Sequence, residues 1–275
     1  VTSARPIDFH AHIFPDRIAA QALDALSQTT GEIRPRTDGT LGGLLASMDR
    51  AGIGASVVAS IATKPGQIFP ILDFSREIAS DRIFPLVSFH PANSPEELDR
   101  LLAGAVASGI RGIKLHPMYQ EFTLDDPAMI PFYRQVADSG LFLLFHSGDD
   151  ISFPGDERAD PARIARLAGL LPGLTIVASH LGGWRQWERV GILADLPNVW
   201  IECSMTLRSI PDERFVEILT GFDPDRILYG SDTPWDDQAE TLAHARRLPL
   251  PEGLLARLLH DNAARLLRIA PRPIP

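Results

Sequence analysis

Six of the chain's eight histidines close an apolar run of strand length. In order, the runs are Ile7-Asp8-Phe9-His10-Ala11-His12, Leu86-Val87-Ser88-Phe89-His90, Gly112-Ile113-Lys114-Leu115-His116, Leu143-Leu144-Phe145-His146 and Ile176-Val177-Ala178-Ser179-His180. Leu228-Tyr229-Gly230-Ser231-Asp232 continues the series with a carboxylate. The intervals from His90 to His116, His146 and His180 are 26, 30 and 34 residues, each room for one strand, one helix and their loops. The longer gaps, 78 residues from His12 to His90 and 52 from His180 to Asp232, hold two such units each. Eight parallel strands follow, with imidazoles gathered around one mouth, and that arrangement predicts a metal site.

The strands expected are 7–13, 55–63, 83–89, 112–116, 141–146, 174–180, 199–204 and 226–232. Their Val/Ile/Leu-rich runs suit parallel strands covered on both faces. Helices are expected between them, with Ser94 capping a helix that starts at Pro95, Asp160 capping one at Pro161, and Gly140 ending another. A helix is expected near 187–196, and two more close the chain near 237–246 and 251–269. Right-handed crossovers then give a (β/α)8 TIM barrel, residues 1–275 forming one domain with extra helices. A doubly wound open sheet is the runner-up, but it would place ligands at one crevice rather than at nearly every strand tip. The net charge of −9, without a Lys/Arg run, argues against a nucleic-acid or anionic-membrane partner. No apolar stretch reaches the length of a membrane span, and the short polar start, residues 1–6, does not read as a signal peptide. The single cysteine, Cys203, excludes an internal disulfide and fits a cytoplasmic setting. Residues 271–275 read as a loose tail.

His10 and His12 lie two apart on one strand, so they share a face about 7 Å apart along the backbone and can reach one ion. Asp232 adds a negative charge, and His146 or His180 supplies a third nitrogen. Such a shell leaves a position for water, the catalytic rather than the structural pattern.

The set as a whole resembles the amidohydrolase superfamily, and more closely its amidohydrolase-2 branch. The matching pieces are Asp8-Phe9-His10-Ala11-His12, Gly112-Ile113-Lys114-Leu115-His116-Pro117, Leu144-Phe145-His146-Ser147-Gly148, Ser179-His180-Leu181-Gly182-Gly183, Tyr229-Gly230-Ser231-Asp232-Thr233-Pro234, and the closing Asp261-Asn262-Ala263-Ala264-Arg265-Leu266-Leu267. The resemblance implies the barrel, one divalent metal, zinc before others, and either hydrolysis or non-oxidative decarboxylation. It makes His10, His12, His146 and Asp232 the metal ligands and His180 the neighbouring acid/base histidine. In binuclear relatives a lysine at the tip of strand four is carbamylated. Lys114 lies inside its strand, and the expectation is an ammonium paired with Glu202 or Asp8, since a buried charge requires a partner.

His90 and His116 are expected to line the mouth, either orienting substrate or making structural hydrogen bonds. Trp184 and Arg185, in the loop after strand six, are candidates to wall an unsaturated substrate and clamp its carboxylate, and Arg208 is a further clamp candidate. Ser204 is a strand-tip hydroxyl that either touches substrate or bonds backbone. His244 and His260 read as surface groups, Cys203 as a buried thiol, and Asp149, Asp150 and Asp156 as solvated loop acids.

The first functional expectation is a metal-dependent hydrolase of a small ester, lactone or amide. There Asp232 takes a proton from water, and His180 stabilises the developing charge. The alternative is a carboxy-lyase acting on an aromatic or unsaturated acid. A metal-free lactonase and a non-catalytic ligand-binding barrel are further readings. The expected partner is a small molecule, with a homodimer as the expected assembly if related barrels are a guide.

Overall fold

A computed structural model describes residues 4–31 and 33–270; the proline-rich tail expected to be loose lies outside the described residues. Eight strands run β1 Ile7–Ala11, β2 Ala55–Ala59, β3 Ile83–Leu86, β4 Gly112–Leu115, β5 Phe142–Phe145, β6 Ile176–Ala178, β7 Val199–Glu202 and β8 Ile227–Leu228. All pairings are parallel, in the orders β1-β2-β3 and β4-β5-β6-β7-β8. Single bridges join the two arcs. Val87 pairs with Ile113, and Ala11 pairs with Thr233. The sheet is therefore a closed (β/α)8 barrel, as expected, with strands shorter than the apolar runs because their last residues turn into the mouth.

Around it lie α1 Asp16–Ser27, α2 Leu41–Ala51, α3 Ile68–Ile78, α4 Pro95–Ala107, α5 Ile130–Ser139, α6 Pro161–Leu170, α7 Asp212–Thr220 and α8 Gln238–Ala245. The expected end signals operate. Ser94 Oγ accepts from the Glu97 amide while the Glu97 carboxylate accepts from the Ser94 amide, closing a capping box. Asp160 accepts from the Ala162 amide, and Gly140 ends α5 in the left-handed region. The helix expected near 187–196 is absent, and a short 3-10 turn, Val190–Leu193, stands in its place. Tertiary bonds explain this: the Trp187 indole donates to the His180 carbonyl, and Arg189 pairs with Asp160, so the segment is held against the mouth rather than wound. The chain closes through short α- and π-helical turns between Leu254 and Leu266, where the Asn262 amide donates to the carbonyls of Pro224 and Ile227 and pins the start of β8. Among the described residues no helix is long and apolar enough to cross a membrane.

Strand alternation divides the core in two. Phe9, Val57, Phe142, Leu144, Val177 and Leu228 fill the barrel interior. Val58, Ile113, Leu143, Phe145, Ile176 and Ile201 face the helices. One irregularity matters for function. The β1–β2 register shifts between Asp8 and Ala11. Before the shift, Ile7 and Phe9 point inward while Asp8 bonds Gln238 of α8 on the outer side. After it, His10 and His12 point into the mouth, a change of face that a bulge produces.

Candidate metal centre

The tips of β1, β5, β6, β7 and β8 bring a polar cluster to the floor of a cavity of about 870 Å3. His10, His12 and Asp232 form its nucleus, their ligating atoms all within 4.8 Å of one another. His10 Nε2 lies 3.1 Å from His12 Nε2, and Asp232 Oδ1 lies 3.1 Å from His12 Nε2 and 3.6 Å from His10 Nε2. Asp232 Oδ1 is nonetheless buried with no hydrogen bond, so its 3.1 Å contact is one of distance without donor geometry. Burial opposes ionisation of Asp232, but the pull of His10 and His12 holds its pKa well below the usual carboxylate range.

Hydrogen-bond partners assign the tautomers. Glu202 is buried, and although desolvation raises its pKa, attraction and hydrogen bonding from His10 bring it down to about 2. It is thus an acceptor only, taking bonds from His10 Nδ1 at 2.9 Å, the His180 amide at 3.2 Å, and the Ser204 amide and hydroxyl at 2.8 Å each. His10 Nδ1 must carry the proton, which leaves Nε2 a lone pair directed into the mouth. His180 Nδ1 bonds the Ser204 carbonyl at 3.1 Å, so its proton is there and its Nε2 is bare. His146 Nε2 bonds the Asp149 carbonyl at 2.9 Å, so its Nδ1 is bare. The two bare nitrogens of His146 and His180 face each other at 3.1 Å. Two lone pairs at that distance repel unless a positive charge lies between or beside them. These converging lone pairs, with the orphaned Asp232 oxygen, fit a divalent cation, and the carboxylate behind His10 is the usual support of a ligating imidazole.

Local backbone aims these groups. His180 and Asp232 both adopt positive φ, 58° and 68°, a sparsely populated region for residues other than glycine. Gly230 is required because a Cβ there would meet Glu202 Oε2 at 2.4 Å and crowd His10 and Ser204. A Cβ on Gly148 would strike the Trp184 amide at 2.2 Å; with Gly148 unsubstituted, the loop after β6 closes on it and seats the Trp184 indole edge-on to His180.

The structure separates the remaining candidates. His146 and His116 stack at 4.1 Å between ring centres, and Asp150 Oδ2 lies 3.3 Å from His116 Nε2 and 3.7 Å from His146 Nε2. This second group does not offer a second metal shell, because the His146 Nε2 proton is already placed, and His116 Nδ1 accepts the Tyr119 amide, so its Nε2 also bears hydrogen. Asp150 is therefore an anchor for two mouth histidines and not the solvated acid expected from its loop. Burial lowers the pKa of His116 to about 4 and of His146 and His180 to about 3, so all three are neutral near pH 7. Lys114 also departs from expectation. Neither Glu202 nor Asp8 pairs with it, because Glu202 is saturated by His10, His180 and Ser204, and Asp8 is outside the barrel with Ser231 and Gln238. Lys114 Nζ instead lies 3.3 Å from the bare His10 Nε2 and donates to it. Burial lowers its pKa to about 8, against the attraction of Asp232 and Glu202.

His116 and Trp184 line the cavity, as expected, but His90, Arg185 and Arg208 do not. His90 folds back so that its Nδ1 accepts the Ala92 amide. Exposed Arg185 packs over the outer face of Trp184, 5.9 Å from its ring centre. Arg208 is held by Asp236 and Glu240. Ser204 touches neither solvent nor the open cavity; its hydroxyl lies 3.1 Å from His10 Nδ1 and 2.9 Å from His180 Nδ1, tying the two rings together through Glu202. Met205 and Trp235, which sequence reasoning passed over, follow the tips of β7 and β8 into the cavity wall. Their position in the loops that leave β7 and β8 at the mouth was the available signal.

Comparison with known proteins adds the following. A family model described as Amidohydrolase matches residues 7–269. No curated protein matches. Among solved structures, an uncharacterised TIM-barrel protein from Bordetella bronchiseptica is similar at a TM-score of 0.80 and 22% identity, covering 96% of this chain and 99% of that one. The 5-carboxyvanillate decarboxylase of Sphingomonas paucimobilis is similar at 0.72 and 20%, covering 98% and 100%. A dihydroxybenzoic acid decarboxylase of Polaromonas sp. JS666, with bound manganese and 2-nitroresorcinol, is similar at 0.73 and 16%, covering 96% and 97%.

Proposed function

The chain belongs to the amidohydrolase family, and from that premise we propose that it is a metal-dependent carboxy-lyase, removing carbon dioxide without oxidation from an aromatic or unsaturated carboxylic acid. His10, His12, His146 and Asp232 would hold the cation, with His180 beside them. The nitrogen-rich donors favour zinc, whereas the Polaromonas structure carries manganese. A divalent cation there supplies a Lewis acid toward substrate oxygens.

The observation that carries this reading is the buried ammonium of Lys114 on the floor of an aromatic-walled cavity. Decarboxylation breaks a C–C bond, leaves the electron pair on carbon and needs a proton delivered there. The neighbouring histidines His116, His146 and His180 are neutral near pH 7 and Asp232 is ionised, so none of them is a ready acid. Lys114 is a buried amine beside the His10/His12/Asp232 cluster, and burial lowers its pKa, which makes its proton easier to give up than that of a solvated lysine. It also offsets the charge of an incoming carboxylate. Trp184 and Trp235 line the cavity and give it indole surface against which an unsaturated ring could pack. The decarboxylases among the structural neighbours point the same way.

Hydrolysis of a lactone, ester or amide is the second reading, supported by the free Asp232 Oδ1, an ionised oxygen able to take a proton from water. Turnover in 18O-labelled water by the metal-loaded protein separates the two. A carboxy-lyase releases one carbon dioxide per product and places no label in it. Label in the product acid, with no carbon dioxide, would replace the first reading with the second.

A further inference from the structure

Helices α1 and α3 each carry two apolar stripes where a surface helix needs one. On α1, Ala19 and Leu23 are buried against the barrel. Ile18, Ala22 and Leu26, spaced by four, form a second stripe that lines the cavity. On α3, Ile68, Leu72 and Ile78 are buried, while Pro70, Ile71 and Phe74 line the same cavity. Ile18, Ala22, Leu26 and Ile71 join neither hydrophobic core, and Ile18 is 41% exposed. Two opposed apolar stripes left in contact with water lose the stabilisation that burial would give them. They flank one continuous cavity whose floor is the His10/His12/Asp232 cluster, and its volume of about 870 Å3 lies near the upper end of the range for sites that enclose drug-sized ligands. The cations lining that cavity are Lys114 at the floor and Arg17 at the exposed edge of α1. Asp73 and Glu77 of α3 stand on the opposite edge.

We infer that the substrate carries one reacting carboxylate or carbonyl head and an extended, uncharged apolar arm that lies between α1 and α3. The inference rests on reading the cavity as the reaction site, and it names what the rest of that cavity holds. The head goes to the floor, where the charged groups are. The arm runs between the stripes, where the one cation, Arg17, stands at the exposed edge of α1 rather than among the apolar side chains. The polar edges of Arg17, Asp73 and Glu77 mark where the arm meets solvent.

The test is binding rather than turnover. A series of 4-n-alkyl-2-hydroxybenzoates from methyl to octyl, and a parallel series of n-alkanols without a head group, are titrated calorimetrically into the metal-loaded protein. Each added methylene should tighten both series by roughly two- to fourfold. The double variant Ile18→Asp/Ile71→Asp should keep the methyl compound within about twofold and flatten the length dependence. Affinities independent of chain length in the wild-type protein overturn the inference. So does a concentration-dependent dimer that the double variant dissociates, which would assign the stripes to a second copy of the chain. Because no product is measured, failure to decarboxylate leaves this result standing, and a flat alkyl series beside normal turnover removes the arm alone.

Discussion

The two sides of the barrel mouth are built differently. The side made by the tips of β1 and β5 to β8 is a bonded polar network in which Glu202 and Ser204 fix His10 and His180, and the Asp149 carbonyl fixes His146. The side closed by α1 and α3 offers the apolar stripes of Ile18, Ala22, Leu26, Ile71 and Phe74, with charge confined to the edges at Arg17, Asp73 and Glu77. Precision is concentrated where charge must be placed to a fraction of an ångström, and smooth apolar surface lies where a ligand need only be covered.

The contrast can be broken most sharply at Asp232. Asp232→Asn keeps the shape but removes the negative donor, and activity should fall by roughly three orders of magnitude, the scale of losing a charge-stabilising group at a reacting centre. Metal content and turnover measured together, with an unchanged thermal midpoint, check this; near-wild-type turnover would remove Asp232 from the site. Glu202→Gln tests the supporting layer. It frees His10 to take the other tautomer, and affinity for the cation should drop by roughly 10- to 100-fold, read by competition with a chelator.

Acid should loosen the polar side of the metal-free protein. The lowered pKa values of His116, His146 and His180, about 4, 3 and 3, mean that the unfolded chain binds more protons than the native one from near pH 6.5 down to those values. Stability therefore falls as pH falls through that window, by about 1.4 kcal/mol per pH unit for each histidine. Glu202, brought down to about 2, adds to the loss below about pH 4.5, because its contribution is complete only above the unfolded value. Urea unfolding at pH 7.5, 6 and 5 reads this directly, and a flat profile would show that the rings are not held neutral. The smallest effect belongs to Arg208→Ala. Its guanidinium is bound to Asp236 and Glu240 and is 42% exposed, so the Michaelis constant should stay within about twofold. A large rise would return Arg208 to the substrate.

Much of the polar side was legible in the chain because strands have a strict geometry. A residue closing a parallel strand of a barrel faces the mouth, so His10, His12, His116, His146, His180 and Asp232 could be placed from their spacing alone. Where that rule failed, a local break in the strand intervened. His90 follows a strand that ends at Leu86, and its ring turns back onto its own loop. Asp8 was expected as a partner of Lys114, but it lies on the outer side of β1, bonded to Ser231 and Gln238, before the register shift that turns His10 into the mouth. Asp150 was missed because a loop carboxylate gives no periodic signal, and only the folded path returns it to His116 and His146.

By itself the amino-acid order determined the barrel, the number of its strands and most of the histidines at its rim, since apolar period and interval are local properties that any backbone of this kind must obey. The tertiary structure alone decided which nitrogen of each histidine bears hydrogen, which partner the buried lysine takes, and which helices wall the cavity. Those depend on contacts between residues distant in the chain, and a hydrogen bond or a shared cavity exists only once such residues are brought within a few ångströms.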